Sequence, residues 1–397
     1  GHKGYELDSG TYTFYVGKDA HDAWKNGHSS TVSLASDVNI DKDPTTGADI
    51  KNLFDSSTAE MKDHVLSRND WEGTFPKAPT EDDLCRGEAF LNKFAMPLKD
   101  GATAANPVLS TSYDEANPDY PDADGNPGKA PWYSATAPAF RTEAAYGANE
   151  APLQLADMKD ADYDDSKWDT FVNQLTVDQA YGMMQATQFQ FNAVDSVGAP
   201  VAGHSDGPVG LTGAWVGGGD SLLKPFAGEF KVSFATEAMV GTTWNKDLAK
   251  RQGELVGEYG LWTHITGWYA PGGNIHRSPF SGRNFEYYSE DATLSSKMIS
   301  EVISGARSKG MVTFMKHFAL NDEETNRDTD GIATWADEQT MRENYLKVFE
   351  HAVKDGGSNG AMSSFNRIGY TWSGANYALL HDLLRGEWAF KGVVITD

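Results

Sequence analysis

Charged and polar residues sit where short apolar runs stop. Asp206 follows "GAPVAGHS", Lys316 and His317 stand near the end of "MVTFMKHF", and Ser363 to Asn366 follow "GAM". Asp397 closes the β-branched run "GVVIT", and Arg283 lies in the loop "NIHRSPFSGRNFEYYSED". Where a chain alternates strand and helix, residues at strand ends and on the loops that follow do the chemistry. This set is rich in carboxylates and cations and contains no glycine loop for cradling phosphate. Such groups suit a sugar, whose hydroxyls donate to carboxylates and accept from Lys and Arg. Each residue taken singly also has a structural explanation. Asp397 could cap a following helix, and Asp206 could form a turn. Arg283 could brace Glu286 or Asp291, and Met362 and Phe365 could be core residues.

The elements that must position these residues lie in the zone 166–397. "WDTFVNQLTVDQAYGMM" predicts a helix, "GAPVAG" a short strand, and "NKDLAKRQGELVGEYGLW" a helix capped by Asn245. "THITGWYAPG" is strand-like, and the helix after it is closed by Gly310. "MVTFMKHF" is a strand, followed by a helix from Asp337 to Lys354 with Met341, Tyr345, Val348 and Ala352 on one face. "GAMSSF", the helix "NYALLHDLLRGEW" and "GVVITD" complete the pattern. Strand–helix alternation at this spacing predicts an α/β fold with a parallel sheet, a TIM-like (β/α) barrel incomplete at its C-terminal end. Residues 1–40 hold two alternating strand-type runs, "GTYTFYVG" and "SSTVSLASDV", separated by a polar turn region. They read as the end of a β-sandwich. Residues 41–165 form an extended, Pro-, Gly- and Asp-rich connecting segment, expected to be held down by Trp71, Trp132 and Tyr133.

Composition narrows the partners. The chain has 397 residues, 39% of them hydrophobic, enough for a large core. Its formal net charge of −24 disfavours nucleic acid and anionic membrane as partners. The single cysteine, Cys85, excludes an intrachain disulfide and points to a reducing, cytoplasmic setting. The histidines show no paired metal spacing such as HExxH. "NRDTDGIATWAD" matches a calcium loop only loosely, with Asn326 first and Asp337 last, and reads as a polar loop. "GGG" at 217–219 reads as a surface loop.

In order along the chain, "HSDGPVG", "NIHRSPFSGRNFEYYSED", "KHFALNDEETNR", "MSSFNRIG" and "LLRGEWAFKGVVITD" resemble the successive motifs of family-three glycoside hydrolases, which include many β-glucosidases. "KHFALNDEETNR" departs from the motif of that family's N-acetylglucosaminidase branch. The opening "LDSGTYTFYVGKDAHD" is similar to the end of a fibronectin-III-like domain, here preceding the barrel as in members with reversed domain order. The resemblance implies Asp397 as catalytic nucleophile. It implies Asp206, Arg283, Lys316 and His317 as the grip on the first sugar, and Met362 in the wall of that subsite. Phe365 stands where the family commonly has Tyr, so a hydroxyl near the nucleophile is lost. The general acid is expected outside this chain, from an α/β sandwich domain of the same polypeptide or another chain; Glu286, Glu323 and Glu324 are not assigned that role.

The implied activity is that of a retaining exo-acting β-glycosidase cleaving terminal β-D-glucosyl residues through a covalent glycosyl-Asp intermediate, with no cofactor and no metal. The alternatives are a β-xylosidase, an α-L-arabinofuranosidase or a non-catalytic carbohydrate-binding protein. Ending on a buried strand and its acid, the chain is expected to continue elsewhere and to be inactive alone. A homo-oligomer stays open.

Overall fold

The computed structural model describes residues 4–54, 152–185, 189–212, 232–325, 327, 332–369 and 371–397. Trp71, Cys85, Trp132, Tyr133, the triglycine and five of the twelve residues of the loosely calcium-like loop lie outside them.

The main sheet has six strands: β5 (Gln190–Phe191), β6 (Ala202–Asp206), β7 (Ile265–Tyr269), β8 (Val312–Phe318), β10 (Gly360–Ser363) and β13 (Val393–Thr396). Its spatial order is β13-β10-β8-β7-β6-β5. All neighbours from β6 to β13 are parallel, and β5 runs antiparallel at the edge. Helices fill each crossover. After β6 come α4 (Glu237–Thr242) and α5 (Lys246–Thr263), after β7 comes α6 (Ala292–Arg307), after β8 comes α7 (338–354), and before β13 lies α8 (Ala378–Glu387). Sequential parallel strands with helices between them are half of a (β/α) barrel.

Alternation along the strands builds two apolar layers. Trp268, Met315, Ala361 and Val394 face the helices, where they meet Val256, Ile299, Val302, Phe349 and Leu383. Tyr269, Phe314 and Met362 form the inner layer, with Val312, Val393 and Ile395 packed against them. The same two-residue period that puts Val393 and Ile395 inside carries Asp397 to the inner rim. The strand ends also lie level, because Asp206 pairs with Tyr269 and Ser363 pairs with both Phe318 and Thr396. Asp397 continues that line through its N–H bond to the Ser363 carbonyl, 3.0 Å. Between α5 and α6, Gly253 and Gly305 allow close approach: a Cβ on either would lie about 2 Å from a carbonyl of the other helix.

Several elements differ from the expected ones. The helix over 168–184 is two helices, α2 (Lys167–Val172) and α3 (Val177–Gln185). Thr176 and Gln179 form a reciprocal pair, each side chain meeting the other's backbone N–H at 3.2 and 3.0 Å, and this capping box starts a new helix. The first barrel strand is displaced from "GAPVAG" to Ala202–Asp206, because its bonds to β7 run through His204 to Asp206. The helix from Asp337 is capped by that residue's side chain and buries Met341, Val348 and Ala352, but Met341–Leu346 is wound as a π-helix. Asn245 caps α5 through Leu248 N–H at 3.0 Å, and Gly310 sits at φ 86° beyond α6.

At the N-terminus β1 (Tyr5–Leu7) pairs with β4 (Val38–Ile40), and β2 (Gly10–Val16) pairs with β3 (His28–Leu34), all antiparallel. The expected polar turn between β2 and β3 contains α1 (Ala20–Asn26), capped by Asp19. The three remaining short strands, β9 (Ala333–Thr334), β11 (Arg367–Ile368) and β12 (Thr371–Trp372), form a small sheet in the order β12-β11-β9. Of the connecting segment, 41–54 lies on the barrel. Phe54 enters the main core, and its N–H donates to Glu338 at 2.8 Å. Arg342 clamps the same segment, donating to the Lys51 carbonyl at 2.7 Å and to Glu387 at 2.7 and 3.1 Å. At the other end Met158 packs with Phe171, Val194 and Val197 in a separate cluster.

Candidate active site

The rim gathers the predicted charges into one connected chain. Lys316, buried at the end of β8, places its ammonium 3.2 Å from Asp206 Oδ1 and 3.3 Å from Glu286 Oε2. It also donates to the Gly207 carbonyl at 3.2 Å. Glu286 takes the Arg283 Nε–H on its other oxygen. Arg283 then donates from Nη2 to His317 Nε2 at 2.9 Å, and His317 Nε2 lies 3.7 Å from Asp397 Oδ2. Asp206 is the half-exposed end of this chain and Asp397 the enclosed one, at 47% and 19% side-chain exposure.

Strand backbone alone does not fix His317. The Asn274 side chain holds both of its main-chain groups, accepting its N–H at 2.8 Å and donating to its carbonyl at 3.1 Å. The ring state follows from its partners. A guanidinium only donates, so Nε2 accepts and the proton sits on Nδ1, which donates to the Tyr287 hydroxyl at 3.1 Å. Burial, with Lys316, Arg283 and Arg327 nearby, holds the imidazole well below its usual range, so it stays neutral. A neutral ring beside Asp397 leaves that carboxylate unneutralised.

Burial pushes Asp397 up to about 6, against the opposing pull of Arg327, Arg283 and Lys316. Asp397 is therefore ionised at neutral pH while keeping the basicity of a poorly hydrated carboxylate. Arg327 Nη1 lies 3.7 Å from Asp397 Oδ2, and its Nε donates to Glu324 at 3.0 Å. Its guanidinium lies over the Phe365 ring, 4.4 Å from the centroid. Glu324 also receives Asn321 Nδ2–H at 3.0 Å and faces Arg283 at 3.7 Å.

The structure thus unites Asp206, Arg283, Lys316, His317 and Asp397, and it links Phe365 to them through Arg327. Met362 lies below, in the inner apolar layer with Tyr269 and Phe314. Glu286 is Arg283's brace, whereas Asp291 caps α6 by accepting Leu294 N–H at 2.6 Å. Glu323 turns the other way, onto Thr325 and Arg277. Arg327 and Asn274 were missed; each stands at one end of a motif already singled out, the only signal they offered. No group of three or more His, Cys, Asp or Glu able to hold a metal occurs among the described residues, and no helix among them is long and apolar enough to cross a membrane.

This geometry can hold a polyol against fixed charges and present a carboxylate to it. Part of this chain is similar to known proteins. Residues 227–397 match the glycosyl hydrolase family 3 N-terminal domain. The β-glucosidase A of Butyrivibrio fibrisolvens is 34% identical over 234 residues, covering 57% of this chain and 27% of that protein. An exo-α-(1→6)-L-arabinopyranosidase of Bifidobacterium longum is 35% identical over 216 residues, covering 53% of this chain and 27% of that protein. The solved GH3 β-glucosidase of Bifidobacterium adolescentis is 32% identical with a TM-score of 0.51, over 57% of this chain and 32% of its own. The chain spans about a quarter of the length of the curated relatives it matches. Residues 227–397, which hold most of the half-barrel and its level rim of charges, are thus similar to the glycosyl hydrolase family 3 N-terminal domain.

Proposed function

We propose that this chain carries the nucleophile half of the active site of a retaining, exo-acting β-glycosidase that removes terminal β-D-glucosyl residues. The observation that supports this most is the setting of Asp397, at the inner rim beside the cations Arg327 and Arg283 and a neutral His317. In the first step the Asp397 carboxylate attacks the anomeric carbon. The glycosidic C–O bond breaks, and an acid from outside the chain protonates the leaving oxygen. In the second step water attacks the glycosyl ester, the same outside group takes its proton, and Asp397 leaves as carboxylate. Asp206, Lys316, Arg283 and His317 bind the sugar hydroxyls, and their charged hydrogen bonds tighten as the ring flattens toward an oxocarbenium ion. Met362 underlies that subsite. Phe365 supplies a ring without a hydroxyl.

The proposed acid donor is an α/β sandwich domain, and residues 1–40 are proposed as the end of a fibronectin-III-like domain. A cytoplasmic location is the reading that the single cysteine supports. The arabinopyranosidase relative keeps a second substrate reading in play, a terminal pentopyranoside. A nitrophenyl-glycoside panel on the full-length protein decides. Glucoside cleavage well above xyloside and α-L-arabinoside cleavage is expected, and the reverse order overturns the glucosyl assignment.

A further inference from the structure

Beyond the end of β7 the chain continues alongside Lys316. Lys316 N–H donates to the Pro271 carbonyl at 3.0 Å, and Gly273 N–H donates to the Lys316 carbonyl at 2.6 Å, forming a parallel bridge between Gly272 and Lys316. In such a bridge the N–H and C=O of the middle residue point away, toward the next strand. Here the next strand would be β6, but its pairing with β7 ends at Asp206 opposite Tyr269. A buried Gly272 N–H with no strand to meet would cost about 1–3 kcal/mol if left unbonded.

Glu237 meets it. This first residue of α4 is 2% exposed, and its Oε1 accepts Gly272 N–H at 2.8 Å. The fit admits no side chain on Gly272, since a Cβ there would lie 2.2 Å from the Glu286 carbonyl and 3.0 Å from Glu237 Oε2. Backbone of Gly272, backbone of Glu286 and the Glu237 head are thus packed against one another directly behind the Lys316–Glu286 ion pair.

We propose that Glu237 is a positioning residue of this site, supplying the hydrogen-bond acceptor that the ended strand β6 cannot, and so fixing the Gly272–Lys316 bridge from which Lys316 and Glu286 are aimed. The electrostatics agree. Glu237 faces Glu286, Lys316, Arg283 and Tyr288, and Glu286 is already committed to Lys316 and Arg283. Burial and the Glu286 charge push the Glu237 carboxyl well above the usual range. Accepting one N–H requires only one oxygen of the head, which an amide also supplies.

The role predicts rescue by an amide. Glu237→Gln keeps an acceptor, and Glu237→Ala removes it. With an aryl glucoside and the full-length protein, E237A is expected to lower kcat/KM at least tenfold, with KM raised as well as kcat lowered, and E237Q to recover most of the loss. A mere loss of folded enzyme would lower kcat alone. Normal kinetics in E237A, or no recovery in E237Q, overturns the proposal. This kinetic arm rests on the glycosidase reading, so a second arm needs no substrate. Amide exchange at Gly272 is expected to be protected in wild type and E237Q and at least tenfold faster in E237A. Equal protection in all three overturns the proposal even if glycosidase activity is found. Absence of any aryl-glycosidase activity overturns the functional reading and leaves the exchange result to decide on Glu237.

Discussion

Arg327 Nη1 lies 3.7 Å from Asp397 Oδ2, on a guanidinium held by Glu324 and stacked over Phe365. Arg327 is the first of the charges that oppose the upward push of burial on Asp397, whose pKa stands at about 6. In the proposed reaction this acid must be ionised, so activity is expected to fall as pH drops through about 6. Replacing Arg327 with Met removes a favourable interaction with the ionised form. The acidic limb of the kcat/KM profile should move upward by about one pH unit. An unmoved or lowered limb would show that Arg327 does not tune Asp397.

Asp397→Asn keeps the shape of the side chain and removes the proposed nucleophile. Turnover in the full-length protein should fall by about 10⁴-fold or more. Glucose affinity, measured by calorimetry, should stay within severalfold, since Asp206, Lys316 and Arg283 are untouched. Unchanged turnover would refute the nucleophile assignment.

Arg342 ties the segment 41–54 to the barrel through Lys51, Glu338 and Glu387. Arg342→Met strands two enclosed carboxylates, and the stability lost should be about 3–5 kcal/mol. Replacing Arg342 and Glu387 together with apolar residues should lose less than the single change, because no uncompensated charge remains at Glu387. Urea unfolding of the three proteins checks both statements.

His204 sits among Phe191, Tyr269 and Phe314, and burial lowers its pKa to about 4. The unfolded chain takes up that proton near pH 6.5, so it binds more protons than the folded chain between about 6.5 and 4. Stability should therefore fall as pH drops through that window, by up to roughly 1.4 kcal/mol per unit from this group. His204→Phe should flatten that part of the stability–pH curve. An equal slope in both proteins would rule His204 out as its source.

How much of the site was legible depended on how each residue is placed. Asp206, Lys316 and Asp397 end strands, and a strand's two-residue period plus the rule that chemistry lies at strand ends is enough to find them. Glu286, Glu324 and Arg327 ride on loops, where no period operates, so their pairing with Arg283 and Asp397 required coordinates. Glu237 was invisible for another reason. An acid in the first turn of a helix is explained by the helix dipole alone, and only its distance to Gly272 shows a second task. The split of α2 from α3 was legible in principle, because Thr176 and Gln179 form a capping box, but the apolar spacing across 168–184 outweighed it.

The sequence by itself determined the parallel α/β layout, the order of strands and helices, and which side chains stand at the rim. Those follow from local periodicity and from the right-handed crossovers that connect parallel strands. Tertiary structure alone decided which charges touch, that His317 is neutral with its proton on Nδ1, and that a helix acid stands in for a strand beside Lys316. Each of these depends on desolvation and on distances of about 3 Å between segments far apart in the chain, and neither quantity is written in any one segment.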